Sequence, residues 1–229
     1  MKKIILSLIA LFCLIAIVFV GLNKTDSYGK EPYKDSDSAE KKFVKLTVFT
    51  SQMQDELGND SLYPYYYRSL KTKEINGMTE KQAIDKTNEE ITERYALYAK
   101  AKKAGITVSE KEKQQHIDNV LKKLQKSDDF DRLNSEYKKY ETSFAEQYKK
   151  NNIWNSFEST IKKWSDVYFK DSSAIDYLKK NTNKIVESFK KSSKYNELSK
   201  VLNSCEKAYT SFGSNASKIK KQFETDLSL

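Results

Sequence analysis

The sequence predicts an all-α fold, and three observations carry that prediction. Glycine and proline number only 6 and 2 in 229 residues while 32% of the chain is charged, a composition that suits long helices and leaves few turn formers for a β protein. Hydroxyl residues are followed three positions later by Glu or Gln at Thr79 and Gln82, Ser109 and Glu112, and Ser143 and Glu146, the signature of capped helix starts. Apolar residues recur at three- and four-residue spacing from Ile84 almost to the end of the chain, so each predicted helix carries one apolar stripe. With 38% hydrophobic and 12% aromatic residues, there is enough to fill a modest core.

Met1, Lys2 and Lys3 precede an uncharged run from Ile4 to Leu22. As a helix rising 1.5 Å per residue it would span about 28 Å, close to the thickness of a bilayer core. No small-x-small pair closes the run, and Thr25 to Ser27 is the nearest cleavage site, so residues 1–22 read as a membrane anchor or signal, with the uncleaved form favoured. Cys13 follows Phe12 where a lipoprotein signal needs a small residue. The lysines place the rest of the chain outside the cytoplasm, single-pass at the cell membrane, or secreted if the segment is cleaved.

Residues 23–42 are polar and serine-rich, without periodicity, and read as a flexible tether. Phe43 to Phe49, FVKLTVF, fits a short strand and equally the first turns of a helix running through Met53 and Leu57 to Gly58; periodicity does not separate the two. The YPYYYR cluster from Tyr63 to Arg68 suits stacking on sugars or, more often, amphipathic packing on helices.

Between the first two capped starts, Gly105 follows a basic last turn of Lys100, Lys102 and Lys103, which marks a helix end. Ile106 and Val108 are placed to fold back onto both helices, making the joint rigid. The first helix has Ile84, Ile91, Tyr95 and Tyr98 on one face, and the second Ile117, Val120, Leu121 and Leu124.

This stretch, AKKAGITVSEKE, resembles the joint in the amino-terminal domain of SurA-type and PrsA-type extracytoplasmic foldases, with Ala101, Gly105, Ile106, Val108, Ser109 and Glu112 matching. Lys113 stands where that family usually has an apolar residue, and Tyr95 and Tyr98 where it usually has leucine. The resemblance implies a chaperone-like helical domain over residues 43–169, with the helices of 170–229 packing on it or extending it. It also implies weak capture of extended, aromatic-rich chains on an apolar groove. The family's parvulin isomerase domain, with its glycine-rich turns and paired histidines, has no counterpart in this sequence, so no isomerase activity is expected.

A short helix capped by Asp128 and carrying Phe130, Leu133 and Tyr137 is expected next. One long helix from Ser143 then carries Phe144, Tyr148, Phe157, Ile161, Trp164 and Tyr168. Further stripes are Ile175, Leu178, Ile185 and Phe189, then Tyr195, Leu198, Leu202, Cys205, Tyr209 and Phe212 up to Gly213, then Ile219, Phe223 and Leu227.

The residue inventory excludes most catalytic chemistry. A single histidine, His116, rules out paired-histidine metal sites, and no Cys-x-x-Cys, Gly-x-Ser-x-Gly or phosphate-binding glycine loop occurs. The carboxylate pairs Glu89 with Glu90 and Asp128 with Asp129 lie among lysines and read as solvated charges. Cys205 falls at a core spacing and reads as a buried, inert thiol. No enzyme activity, metal or cofactor is expected.

The net charge of +9 is spread along the chain and strongest after residue 169, which admits an anionic envelope polymer as a partner and makes nucleic acid a weak alternative. The expected partners are unfolded or secreted polypeptides, with the membrane reached through residues 4–22. Peptide contact is expected at Tyr95, Tyr98, Tyr137, Tyr140, Tyr148, Trp154 and Phe157, because aromatic residues give contact area at low entropic cost; ordinary core packing is the competing reading of each. The alternative function is a structural or interaction protein of the cell envelope whose carboxy-terminal stripes form a coiled coil with a partner or with a second copy of the chain.

Overall fold

In the computed structural model, which describes residues 33–34, 36–169, 173–223 and 226–228, every named element is a helix. These are α1 (Ala39–Leu57), α2 (Tyr63–Ile75), α3 (Glu80–Lys103), α4 (Glu110–Leu124) and α5 (Asp128–Lys138). They are followed by α6 (Phe144–Lys150), α7 (Asn152–Tyr168), α8 (Ser173–Phe189), α9 (Ser193–Phe212) and α10 (Ala216–Phe223). The proposed anchor of residues 1–22, Cys13 within it, and the tether up to residue 32 lie outside the described residues. Among the described residues no helix is long and apolar enough to cross a membrane.

The FVKLTVF stretch is not a strand. It forms the early turns of α1, started by the Ser38 hydroxyl accepting from the Lys41 amide, so the helix begins inside the segment read as tether. Val44, Thr47 and Ser51 are buried at spacings of three and four, a helical and not an alternating pattern, and packing on α2 and α10 decides between the two conformations. An ion pair between Asp37 and Lys45, 2.6 Å, ties the residues before the helix to its second turn.

Helices α1, α2, α3, α9 and α10 enclose the larger core. Tyr63, Tyr66, Tyr67 and Leu70 of α2 sit at its centre, against Leu46 and Met53 of α1, Ile84 and Ile91 of α3, and Leu198, Leu202 and Cys205 of α9. The tyrosine cluster is therefore core, not a sugar-stacking surface. The carboxy terminus closes this core: Leu227 is buried, its carbonyl accepts from the Leu62 amide at 2.7 Å, and Ser228 forms an antiparallel bridge with Ser61. The inward stripe of α9, with Leu198, Leu202, Cys205 and Tyr209 buried, is consumed inside the molecule and is not available for a coiled coil with a partner.

A second core forms where α7 packs on α3, α4 and α8, from Leu97, Ala101, Ile106, Trp154, Phe157, Ile161 and Trp164. Helices α5 and α6 pack on α1 and bring Phe130, Tyr137 and Tyr148 around Phe144.

The long helix expected from Ser143 is two helices. The Ser143–Glu146 capping box starts α6, but Asn151 takes φ −79° and ψ 65° and ends it after Lys150. The cause is Asn155, which is buried and donates from Nδ2 to the Tyr148 carbonyl at 3.0 Å, satisfying a group that the next helical turn would otherwise have used. In the helix before it, Ser127 and not Asp128 occupies the cap position, with no side-chain bond to the first turn.

Candidate functional site

The α3–α4 joint is built as its residues predict. Gly105 adopts φ +80°, a left-handed conformation that closes α3, and Ile106 turns back into the second core. The Ser109–Glu112 capping box opens α4 with both reciprocal bonds formed. Glu112 also ties α4 to α7, because it accepts from Lys163 at 2.5 Å while the same ammonium donates to the Thr107 carbonyl at 2.8 Å. Lys163, with the Ser109 amide and hydroxyl, pulls the Glu112 carboxyl down to about 2. Lys113, where the resembled family is apolar, bonds Asn152 Oδ1 at 2.8 Å and fixes the other end of α7. Two lysine contacts thus hold α7 along α4.

At its carboxy-terminal end α7 emerges from this packing. Val167 is 62% exposed and Tyr168 55%, and the Tyr168 hydroxyl reaches the Ala104 carbonyl at 3.3 Å. Tyr168 continues the inward spacing of Trp164, yet it is exposed, because α3 stops at Lys103 and leaves no further turn to cover the ring. Next in the chain, Phe169 packs tilted against Tyr177 of α8 with centroids 4.4 Å apart, and both meet Trp164 edge-on. The result is a small apolar ledge of two exposed, sequence-adjacent side chains, Val167 and Tyr168, followed in the chain by the half-buried ring of Phe169. Met78 and Tyr140, the other large apolar side chains exposed among the described residues, stand apart from it in sequence, in the connections before α3 and after α5.

The seven residues predicted for peptide contact do not assemble into one groove. Tyr137, Trp154 and Phe157 are buried, at 1%, 4% and 4% exposure, and their rings are covered by neighbours. Tyr65 stacks on Trp154 at 4.4 Å, and Tyr98 lies on Phe157 at 4.9 Å. Tyr95 and Tyr98 are half-buried, with Tyr95 locked between Phe157 and Phe189. Tyr148 and Tyr140 belong to the separate α5–α6 region, where Tyr148 is half-buried and Tyr140 exposed. Burial wins because each ring sits at the centre of a helical stripe, where covering apolar area is worth more than any exposed use.

Sequence reasoning missed a buried polar network between α2 and α3. Glu90 is not a solvated charge. It accepts from Tyr65 Oη at 2.5 Å, Ser69 Oγ at 3.0 Å and Lys73 Nζ at 2.6 Å. Burial opposes its ionisation, but Lys73, Tyr65 and Ser69 outweigh burial and hold the carboxyl below its usual range. Nearby, Arg94 of α3 lies over the Trp154 ring and 3.4 Å from Glu158 of α7, whose carboxyl desolvation pushes up against the opposing pull of Arg94. These groups join helices, and each carboxylate faces a cation and not a cavity, which is the arrangement of a structural network.

Among the described residues no group of three His, Cys, Asp or Glu side chains is placed to hold a metal. His116 is half-buried between α4 and α7, where desolvation, with Lys162 and Lys123 nearby, lowers its pKa to about 4. Cys205 is fully buried, and burial pushes its thiol well up, as suits an inert core residue. Compared with family models, with curated proteins and with solved structures, the chain matches none.

Proposed function

We propose that this protein is a membrane-tethered, extracytoplasmic binder of extended polypeptide chains, a non-catalytic holdase. The observation that carries the reading is the apolar ledge at the end of α7, where Val167 and Tyr168 stand exposed side by side in the chain. Isolated exposed apolar residues are ordinary, but an adjacent pair at a helix end offers apolar contact area to a partner. The joint that positions the ledge carries the residues that resemble SurA-type and PrsA-type domains, which supports the same class of function. The apolar run of residues 4–22 and its leading lysines support the membrane tether.

A ledge of this size supports only micromolar or weaker contact. The test is the delay of aggregation of a chemically unfolded protein by the full-length chain, together with binding of an aromatic-rich peptide at low and high salt. Capture by the ledge persists as salt rises and falls when Val167 and Tyr168 are both replaced by serine. Binding that fades with salt and ignores those changes assigns the contact to the lysine-rich tail. Absence of both activities in folded protein overturns the proposal.

A further inference from the structure

The start of α2 is completed by the far end of the chain. Leu62 stands at the cap position, where an apolar side chain supplies no acceptor, and a helix start leaves amides that must find one elsewhere. The carboxy-terminal segment provides it: the Leu227 carbonyl accepts from the Leu62 amide at 2.7 Å, and Ser228 stands opposite Ser61 in an antiparallel bridge. Leu227 is buried in the larger core, which also holds Leu62 and Tyr63 of this turn and Ile219 and Phe223 of α10. Asp226 and Ser228 on either side of it are exposed, the alternation of an extended segment.

This contact differs from the helix packing around it. Packed helices share a stripe of several side chains, whereas here a short extended segment is held by its backbone and one anchored leucine. The receiving side is fixed by groups outside the tail: Gln54 of α1 donates from Nε2 to the Gly58 carbonyl at 2.5 Å and to the Ser61 carbonyl at 3.3 Å, which sets the α1–α2 connection. It also has capacity to spare. Ser61 is 4% exposed, and among the described residues its hydroxyl oxygen has no hydrogen-bond partner, a buried polar demand that the tail leaves unmet.

From this we infer that the start of α2 is a binding site for an extended polypeptide segment carrying a leucine-sized apolar residue, and that the chain's own carboxy terminus fills it in cis as an autoinhibitory strap. The mode is that of strand addition, in which main-chain hydrogen bonds attach the segment and a pocket for one side chain gives preference. Such a contact reads the backbone and one apolar group, which suits a binder of many sequences; in naming that partner the inference rests on the proposed function. Exchange puts one leucine in place of another, so no core surface is left bare, and chain ends are where local opening is easiest. A second copy is a poorer occupant, because it must free its own tail first and gains nothing by the exchange.

The test is amide hydrogen exchange in the full-length protein at Leu62, whose amide the strap protects, with Leu70 farther along α2 as the reference. In native wild type Leu62 should exchange about tenfold faster than Leu70, because the strap opens without the core. In Leu227→Ser the Leu62 rate should rise by about tenfold more while Leu70 changes by less than about twofold. Equal rates at the two amides in wild type, which needs no variant to fold, overturn the inference, as does equal acceleration of both in the variant. The peptide acetyl-TTLTT-amide should then restore Leu62 protection saturably in Leu227→Ser, and acetyl-TTSTT-amide should not. Wild type should bind the leucine peptide about tenfold more weakly, because the tethered strap competes at high local concentration. No restoration by the leucine peptide, or restoration by both, overturns the site, and equal binding to wild type and variant overturns the inhibitory role. Concentration-dependent dimerisation of wild type that is lost in Leu227→Ser gives the site to a second copy and overturns the client reading. The Leu62 response does not involve Val167 or Tyr168, and the aggregation assay of the ledge does not involve Leu62, so the two readings fail separately.

Discussion

Replacing Glu90 by alanine tests whether the α2–α3 network is a structural tie. The carboxylate accepts from three side chains of α2, so its removal leaves the Lys73 ammonium and the Tyr65 hydroxyl without the acceptor they were folded around. Removing one partner of a buried pair costs roughly 3–5 kcal/mol. Glu90 retains 23% and Lys73 10% of their side-chain surface, so water can partly replace the lost partner and the cost falls to about 2–3 kcal/mol. The double variant Glu90→Leu with Lys73→Met removes both charges and leaves only the neutral Tyr65 and Ser69 hydroxyls without that acceptor. It should cost less than the sum of the two single variants, about 1–2 kcal/mol, so the two sites are strongly coupled. Urea unfolding followed by circular dichroism at neutral pH measures both. The sign with pH follows from the lowered Glu90 pKa: its stabilisation is present above the unfolded carboxylate value and lost as pH falls through the lower folded value. A cost below about 0.5 kcal/mol for Glu90→Ala, within the range of ordinary surface substitutions, would falsify the argument, as would a double variant equal to the sum of the singles.

Three further outcomes are expected. Ser109→Ala removes a formed capping box and should cost about 1 kcal/mol in the same unfolding assay, with no change in helix content. His116 titrates at about 4 when folded against 6.5 ordinarily, so the unfolded chain takes up the proton first and stability is lost as pH falls from about 6.5 to 4. After discounting for its partial exposure, the loss is about 1–2 kcal/mol; comparing wild type with His116→Gln across that window isolates it, and identical pH profiles refute it. Cys205 should resist thiol reagents in native protein and react at once in urea; rapid native labelling would show that the larger core opens locally.

What the sequence made legible was local. The starts of α3, α4 and α6 are set by side chains three residues apart, and all three capping boxes form where the spacing places them. Gly105 ends α3 for an equally local reason. The misreadings share a different cause. Residues 43–49 have strand-like composition, and only contact with α2 and α10 makes them helical. The apolar stripe runs on from Tyr148 to Phe157, so periodicity hides the break at Asn151; the group responsible, Asn155, acts by reaching back seven residues to a carbonyl. Glu90 looks like one more acid among lysines because its partners Tyr65, Ser69 and Lys73 lie on another helix. The ledge was hidden by the same periodicity, which assigns Tyr168 to the interior without knowing where α3 ends.

On the proposed function, the burial of Trp154 and Phe157 bears on how a polypeptide would be captured. A groove made from these rings would require α7 to lift away from α3 and expose both. Exposing a core Phe or Trp costs about 3–5 kcal/mol by comparison with truncation, so the pair costs roughly 6–10 kcal/mol. A micromolar contact is worth only about 8 kcal/mol in all. Opening would absorb most or all of it, and the Lys163 contacts to Glu112 and Thr107 add to the resistance. Capture by exposing the core is therefore too costly for a weak, transient client. The proposed capture therefore rests on apolar surface that is already exposed, and on this molecule Val167 and Tyr168 at the end of α7 supply such surface without opening either core.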